Sequence, residues 1–288
     1  MVRGDNGLSA STLVITKSLS IVAAPGIYAS LFGNKTGFTF SPSITSVEIN
    51  APGAQVTLDG LTLTPPEGAI GIDVISAGAV NFRNCVIGGL EGGGTGSPGA
   101  IGAAIYANAP TVLHVENTWI KNSGFGIYLD GGAQATVDRS EFTNIAAVGV
   151  YATTASIPSG STVAATTAVV RNSTIGGSSQ ALGIGIEADA EGPTPAAADV
   201  EVTGSTISFF NVGLQSNYNP ATPGLSNITA TNLTVVQDCT GFVQSGPAGT
   251  GGPGGSYFNS FGNNSLRDNG VGCLGGDTSG VITRVNQQ

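Results

Sequence analysis

Charge is scarce in this chain: nine Lys and Arg and eighteen Asp and Glu stand among 288 residues. With a formal net charge of −9 and a pI near 4.3, the surface repels phosphate backbones, and the few basic residues are scattered. Nucleic acid is therefore not an expected partner. Long apolar runs are also missing. None reaches the roughly 18 residues of a membrane helix, so membrane insertion is not expected. The N-terminal stretch MVRGDNGLSASTLVITKSLSIV lacks the continuous apolar core of a signal peptide. Only three cysteines occur, Cys85, Cys239 and Cys273, without CxxC spacing or a neighbouring histidine, which leaves no zinc or redox motif. What the chain has in quantity is glycine, 45 residues, together with a positive mean hydropathy of +0.22. Disorder goes with low hydropathy and high charge, so this composition belongs to a folded chain that tolerates glycine.

Internal repetition accounts for it. A hexapeptide that begins and ends on an apolar residue recurs as LDGLTL at 58–63, FRNCVI at 82–87, VENTWI at 115–120, VDRSEF at 137–142, VRNSTI at 170–175, VTGSTI at 202–207 and ATNLTV at 230–235. A second motif follows each one: GIDV at 71, AIYA at 104, GIYL at 126, GVYA at 149, GIEA at 185, GLQS at 213 and GFVQ at 241. Fixed motifs at unequal spacing predict a β-solenoid, whose coils keep their strands while insertions bulge at a corner. The reading is all-β: a right-handed parallel β-helix, a single-stranded solenoid of about eight coils. One domain is expected over 1–288, with first coils at 12–53, regular coils at 54–256 and a terminal coil and cap at 257–288.

Strand alternation assigns the faces. Leu58, Phe82, Val115, Val137, Val170 and Val202 point inward, as do Leu63, Ile87, Ile120, Phe142, Ile175 and Ile207. The fourth position, occupied by Leu61, Cys85, Thr118, Ser140, Ser173, Ser205 and Leu233, also points inward, which makes Cys85 a core residue. The third position, Asn84, Asn117, Asn172 and Asn232 with Gly60 and Gly204, falls at a bend that needs left-handed backbone. Cys239 and Cys273 fall in the last two coils, where a disulfide between them and a pair of small buried thiols are both open.

These motifs resemble the right-handed parallel β-helix repeat proteins of the pectate-lyase-like superfamily, and bacterial β-helix proteins in particular. The likeness is carried by LVITKSLSIVAAPGIYASL at 13–31, INAPGAQVTLDGLTL at 49–63, the hexapeptides, and SFGNNSLRDNG at 260–270. It implies a secreted or cell-surface location, with a signal removed or a different start. It also implies a segment ahead of the first coil that covers the open end. Because the chain starts almost at the first strand, a missing leader, a capping or end-to-end protein partner, or an incomplete chain is expected.

Function has to be read from the outer surface. Asp59, Arg83, Glu116, Asp138 and Arg171 occupy one outward position on successive coils. They form either a salt-bridge ladder or, in an enzymatic alternative, the machinery of a polysaccharide lyase built on Arg83, Glu116, Asp138 and Arg171. His114, the only histidine, is placed just ahead of a strand as a surface or strand-edge residue. The second motif places Asp73, Tyr106, Tyr128, Tyr151, Glu187 and Gln215 in one outward column. Two residues on come Ile75, Asn108, Asp130, Thr153, Asp189 and Asn217. Aromatic rings beside amides and carboxylates suit a sugar, which has an apolar C–H face and a polar rim. The same tyrosines would also stabilise a bare ladder by roughly 0.2–1 kcal/mol per pair.

The expected function is non-catalytic binding of a polysaccharide or cell-surface glycan through Asp73, Tyr106, Tyr128, Asp130, Tyr151, Glu187 and Asp189. A carbohydrate-active enzyme and a structural or adhesive solenoid are the alternatives. No cofactor is expected, and no catalytic or metal residue is assigned; a calcium ion held by Asp130 with Asp189, or by Asp73, is an open option without a calcium-loop motif.

Overall fold

A computed structural model describes residues 12–24, 27, 29–32, 45–65, 70–90, 102–157, 165–191, 196–218, 224–245, 255–270, 278–279 and 283–284. Every secondary-structure element among them is a strand, and all the strand pairs are parallel, each coil lying on the next. Each coil crosses three faces. In one turn, Val112–Glu116 lies on the first face, and Trp119–Leu129 runs along the second and, after a break at Ser123, along the third. Gln134–Asp138 then opens the next coil on the first face.

The hexapeptides stack in register. Leu58 pairs with Phe82, Phe82 with Val115, Val115 with Val137, and Val137 with Val170. On the second face Ile87, Ile120, Phe142, Ile175 and Ile207 follow one another and are fully buried. One coil precedes the seven that carry the motif, at Leu13–Ile15, Leu19–Val22 and Ala29–Phe32, and another follows at Gly255–Ser260 and Ser265–Arg267. The solenoid is thus slightly longer than the motifs alone indicate.

The bend between the first and second faces is left-handed as expected: φ is 51° at Asn84, 48° at Asn117, 52° at Asn172 and 51° at Asn232. Asn117 donates to Asn84 Oδ1 at 2.7 Å, and Asn84 to Asp59 Oδ1 at 2.8 Å. Just inside the bend, a hydroxyl column solves a satisfaction problem, since turning the chain takes backbone N–H groups out of the sheet ladder. The N–H of Ser140 donates to Ser173 Oγ at 3.1 Å, and the N–H of Ser173 to Ser205 Oγ at 3.2 Å. Each of these hydroxyls donates in turn to the carbonyl two residues earlier on its own strand. Cys85 sits in this column, buried, and burial pushes its thiol pKa up. It is a core group, free of any disulfide.

Cys239 is disulfide-bonded, which answers the cysteine alternative in favour of a bridge. Cys273 lies outside the described residues, as do the corner insertions at 91–101 and 158–164, residues 1–11 and most of the expected cap at 271–288.

Candidate functional site

The third face carries the tyrosine column. Two residues before the column position stands a glycine on every motif coil but that of Tyr106, which has Ala104, because the space there is tight: a Cβ at Gly149 would run into the Gly185 carbonyl oxygen of the next coil and the Ile175 side chain of the second face. The register is continuous, from Glu48 through Asp73, Tyr106, Tyr128, Tyr151 and Glu187 to Gln215. Tyr106 and Tyr128 meet edge to face with centroids 5.2 Å apart, and Tyr128 and Tyr151 do so at 4.8 Å. Each of the three rings is half-buried.

A neighbouring apolar column escaped the sequence reading. Ala103, Phe125 and Val148 form a small cluster separate from the main core, with the three tyrosines and Ile184 packed against it. Phe125 lies edge-on to Tyr128 at 5.2 Å and stacks on Tyr151 at 6.0 Å. The signal was a constant offset, because Ala103, Phe125, Val148 and Ile184 each stand three residues before the column position.

The column two residues on is more enclosed than alternation indicates. Asp189 is 3% exposed; its Oδ2 accepts the Tyr151 hydroxyl at 2.7 Å, while Oδ1 is buried with no hydrogen-bond partner, although Asn217 stands opposite on the next coil. Asp130 is also buried. Its Oδ1 accepts the backbone N–H groups of Gly131 at 2.6 Å and Ser156 at 2.9 Å, so this oxygen is used by the turn. Asn108 remains exposed, whereas Thr153 is fully buried.

Burial sets the electrostatics, because removing a carboxylate from water disfavours its charged form. Glu187 is pushed up to about 8 by burial and then by the nearby Asp189 and Glu191 carboxylates. Asp189 is pushed up to about 6, chiefly by burial, and Asp73 to about 6 by burial and Glu48. Tyr106, Tyr128 and Tyr151 are raised by burial too, which keeps them as neutral phenols with a hydroxyl to donate. Near neutral pH the strip therefore mixes donors and acceptors. Among the described residues, no group of three or more His, Cys, Asp or Glu side chains is placed to hold a metal ion.

The charged residues of the enzymatic alternative lie on the first face, as an ion-pair ladder. Arg83 Nε is 3.7 Å from Glu116, and Arg171 Nε is 3.3 Å from Asp138. Arg139, which the sequence reading passed over, takes the left-handed corner position with a φ of 47° and links both acids: its Nη1 is 2.7 Å from Asp138, and its Nη2 is paired with Glu116. A groove of about 470 Å³ runs here, lined by these residues together with Asn81, His114 and Thr136. His114 lies inside the strand Val112–Glu116, correcting its placement ahead of a strand. Glu116, two residues on, shares its outward face, a proximity the sequence reading missed.

No curated protein sequence matches the chain. Among solved structures, a likeness is found to the crystal structure of Dettilon tailspike protein (gp208), with 13% identity and a TM-score of 0.29. It covers 91% of this chain and 60% of that one, so the chain spans less than two thirds of that tailspike's length. Residues 45–245, the stretch that holds all seven hexapeptides and the tyrosine column, match the right handed beta helix region, and the chain belongs to that family.

Proposed function

We propose that this β-helix binds a polysaccharide along the third face, outside the cytoplasm and without turning it over. The observation that carries the reading is the register of Tyr106, Tyr128 and Tyr151 on three successive coils, with Asp73 at one end and Glu187 and Asp189 at the other. Adjacent strands lie about 4.8 Å apart, close to the length of one sugar ring, so a glycan running along the solenoid axis meets one ring per residue. Apolar contact comes from the tyrosines, which pack against the buried Phe125, and hydrogen bonds come from the phenols, Glu187 and Asp73. Asp130 holds the turn at the edge of the strip.

Two observations favour this reading over lyase chemistry on the first face and support the extracellular setting. Arg83 and Arg171 are each engaged with a carboxylate of the ladder, which occupies the guanidinium that a base would have to present to a substrate. The disulfide at Cys239 suits an oxidising compartment. Among the described residues no helix is long and apolar enough to cross a membrane.

The test is titration against a panel of polysaccharides, with product release followed in the same samples. Tyr128→Ala should weaken binding about tenfold or more, as expected for the loss of about 1.5 kcal/mol of aromatic contact, while circular dichroism stays unchanged. Unaltered affinity would remove the strip from the account, and accumulation of products would move the function to catalysis.

The first coil supports a second reading. Among the described residues its strands Leu13–Ile15, Leu19–Val22 and Ala29–Phe32 are paired on one side only, which suits an end-to-end or capping partner. Concentration-dependent assembly in light scattering would bear it out, and a monomer at all concentrations would end the end-to-end form.

A further inference from the structure

The charge on the third face is of one sign. The column Glu48, Asp73, Tyr106, Tyr128, Tyr151, Glu187 and Gln215, and the column Asn108, Asp130, Thr153, Asp189 and Asn217 beside it, contain five carboxylates and no Lys, Arg or His. The described basic residues nearest in sequence lie on other faces: Arg83, Arg139 and Arg171 in the ladder, and Lys121 over the Trp119 ring at 4.0 Å. Two of the acids also have an oxygen left over. Asp189 Oδ1 and Asp73 Oδ1 are buried without a well-aligned hydrogen-bond donor, the Asn217 amide on the next coil giving Asp189 a loose contact only, and Asp189 is 97% enclosed. A buried carboxylate oxygen without a donor is costly, and in the two columns no described residue supplies a cation to offset it.

We propose that the strip selects a glycan bearing protonated amines, an amino-sugar polymer, over its acetylated, neutral or acidic counterparts. This rests on the glycan-binding reading above and names the substrate class for it. An ammonium group brings three donors and a positive charge to acceptor oxygens that lack a well-aligned donor. Half-buried tyrosine faces attract the same group through their quadrupole. A uronic-acid polymer would set carboxylate against carboxylate in a partly desolvated site, which is repulsive. Asp73 and Asp189 are separated by four coil steps, about 19 Å at the usual strand spacing. The ligand therefore spans several sugar units, with rings over the tyrosines and amines reaching the two ends.

The experiment compares hexamers of glucosamine, N-acetylglucosamine and galacturonate by calorimetric titration against the full chain, just above the Asp189 value of about 6. The glucosamine hexamer should bind at least about tenfold more tightly than the acetylated one, which is about 1.4 kcal/mol. Asp189→Asn, close in shape and able to keep accepting the Tyr151 hydroxyl, should erase that preference; Asp73→Asn should reduce it if the first variant fails to fold. Glu201→Gln removes an exposed carboxylate from the first face and should leave the preference intact, which separates a built site from attraction to an acidic protein. Equal or better binding of the acetylated or acidic hexamer overturns the amine proposal, as does an equal loss in Glu201→Gln. If the acetylated hexamer binds in a Tyr128-dependent way without an amine preference, the substrate class falls and the glycan site stands. If no hexamer binds, both fall.

Discussion

Tyr151 and Asp189, on neighbouring coils, share a hydrogen bond of 2.7 Å in which the phenol donates to Oδ2 of a buried carboxylate. The acid that receives it belongs to a set of carboxylates held above their ordinary range by enclosure: Asp73 and Asp189 at about 6, Asp238 at about 7 and Glu187 at about 8. Asp238 is fully buried and accepts the Phe210 N–H at 2.6 Å.

The pH dependence of stability follows from that set, and its sign is the reverse of the salt-bridged case. In the unfolded chain these groups titrate near 4, so between about 4 and 8 the folded protein binds more protons than the unfolded one. Their contribution is complete below the unfolded value and is lost as pH rises through 6, 7 and 8. Thermal unfolding followed by circular dichroism should give a higher Tm near about pH 5 than near about pH 8.5. Glu187→Gln and Asp238→Asn should flatten that slope. A Tm that climbs with pH over this range would contradict the assignment.

Core packing predicts a strong contrast between two aromatic residues of the second face. Phe142 is fully buried between Ile120 and Ile175, and Phe142→Ala should cost about 3–5 kcal/mol in chemical denaturation. Trp119 is 40% exposed, with an indole N–H to Thr143 Oγ1 and Lys121 over its ring. Trp119→Ala should cost well under half as much.

Backbone geometry separates two replacements at one bend. Asn117→Gly keeps access to the φ of 48° and loses only the bond to Asn84, whereas Asn117→Ala must also meet the left-handed penalty of about 1–2 kcal/mol. The glycine variant should therefore be the more stable of the two in urea. The opposite order would mean that the extra backbone freedom of glycine in the unfolded chain outweighs the φ penalty at this corner.

Removing a column hydroxyl tests the buried network. Ser173→Ala leaves the Ser140 N–H without its acceptor inside the solenoid and should destabilise by about 1–3 kcal/mol, with faster hydrogen exchange at that amide. Arg139→Ala, by contrast, strips an exposed guanidinium from the ladder and should change stability by about 1 kcal/mol or less.

The inward columns were legible in the sequence because alternation forces a face, and an apolar residue at a fixed motif position can only be core. The first bend was legible for a similar reason, since asparagine and glycine are the residues that accept its backbone. The second corner was not. There the left-handed positions are Asn122, Asn144 and Asp268 on some coils but Phe209 and Gln237 on others, so composition marks the turn only in part. The strip was legible as a row but not in depth: alternation says that Asp189 and Asp130 leave the core, yet the Tyr151 ring and the 153–157 turn then enclose them. Phe125 was hidden because it stands three residues from Tyr128, an odd spacing that strict alternation assigns to opposite faces.

The register of the third face makes the protein a graduated ruler. Each coil adds one mark at a fixed pitch, whatever the length of the insertions at its corners. Excising one whole coil, for example 112–133, would shorten the scale by one division and bring Tyr106 beside Tyr151 without redesign of either residue. Duplicating it would lengthen the scale in the same way. On the proposed glycan-binding reading, preference for ligand length is written in the number of turns and can be edited in whole units.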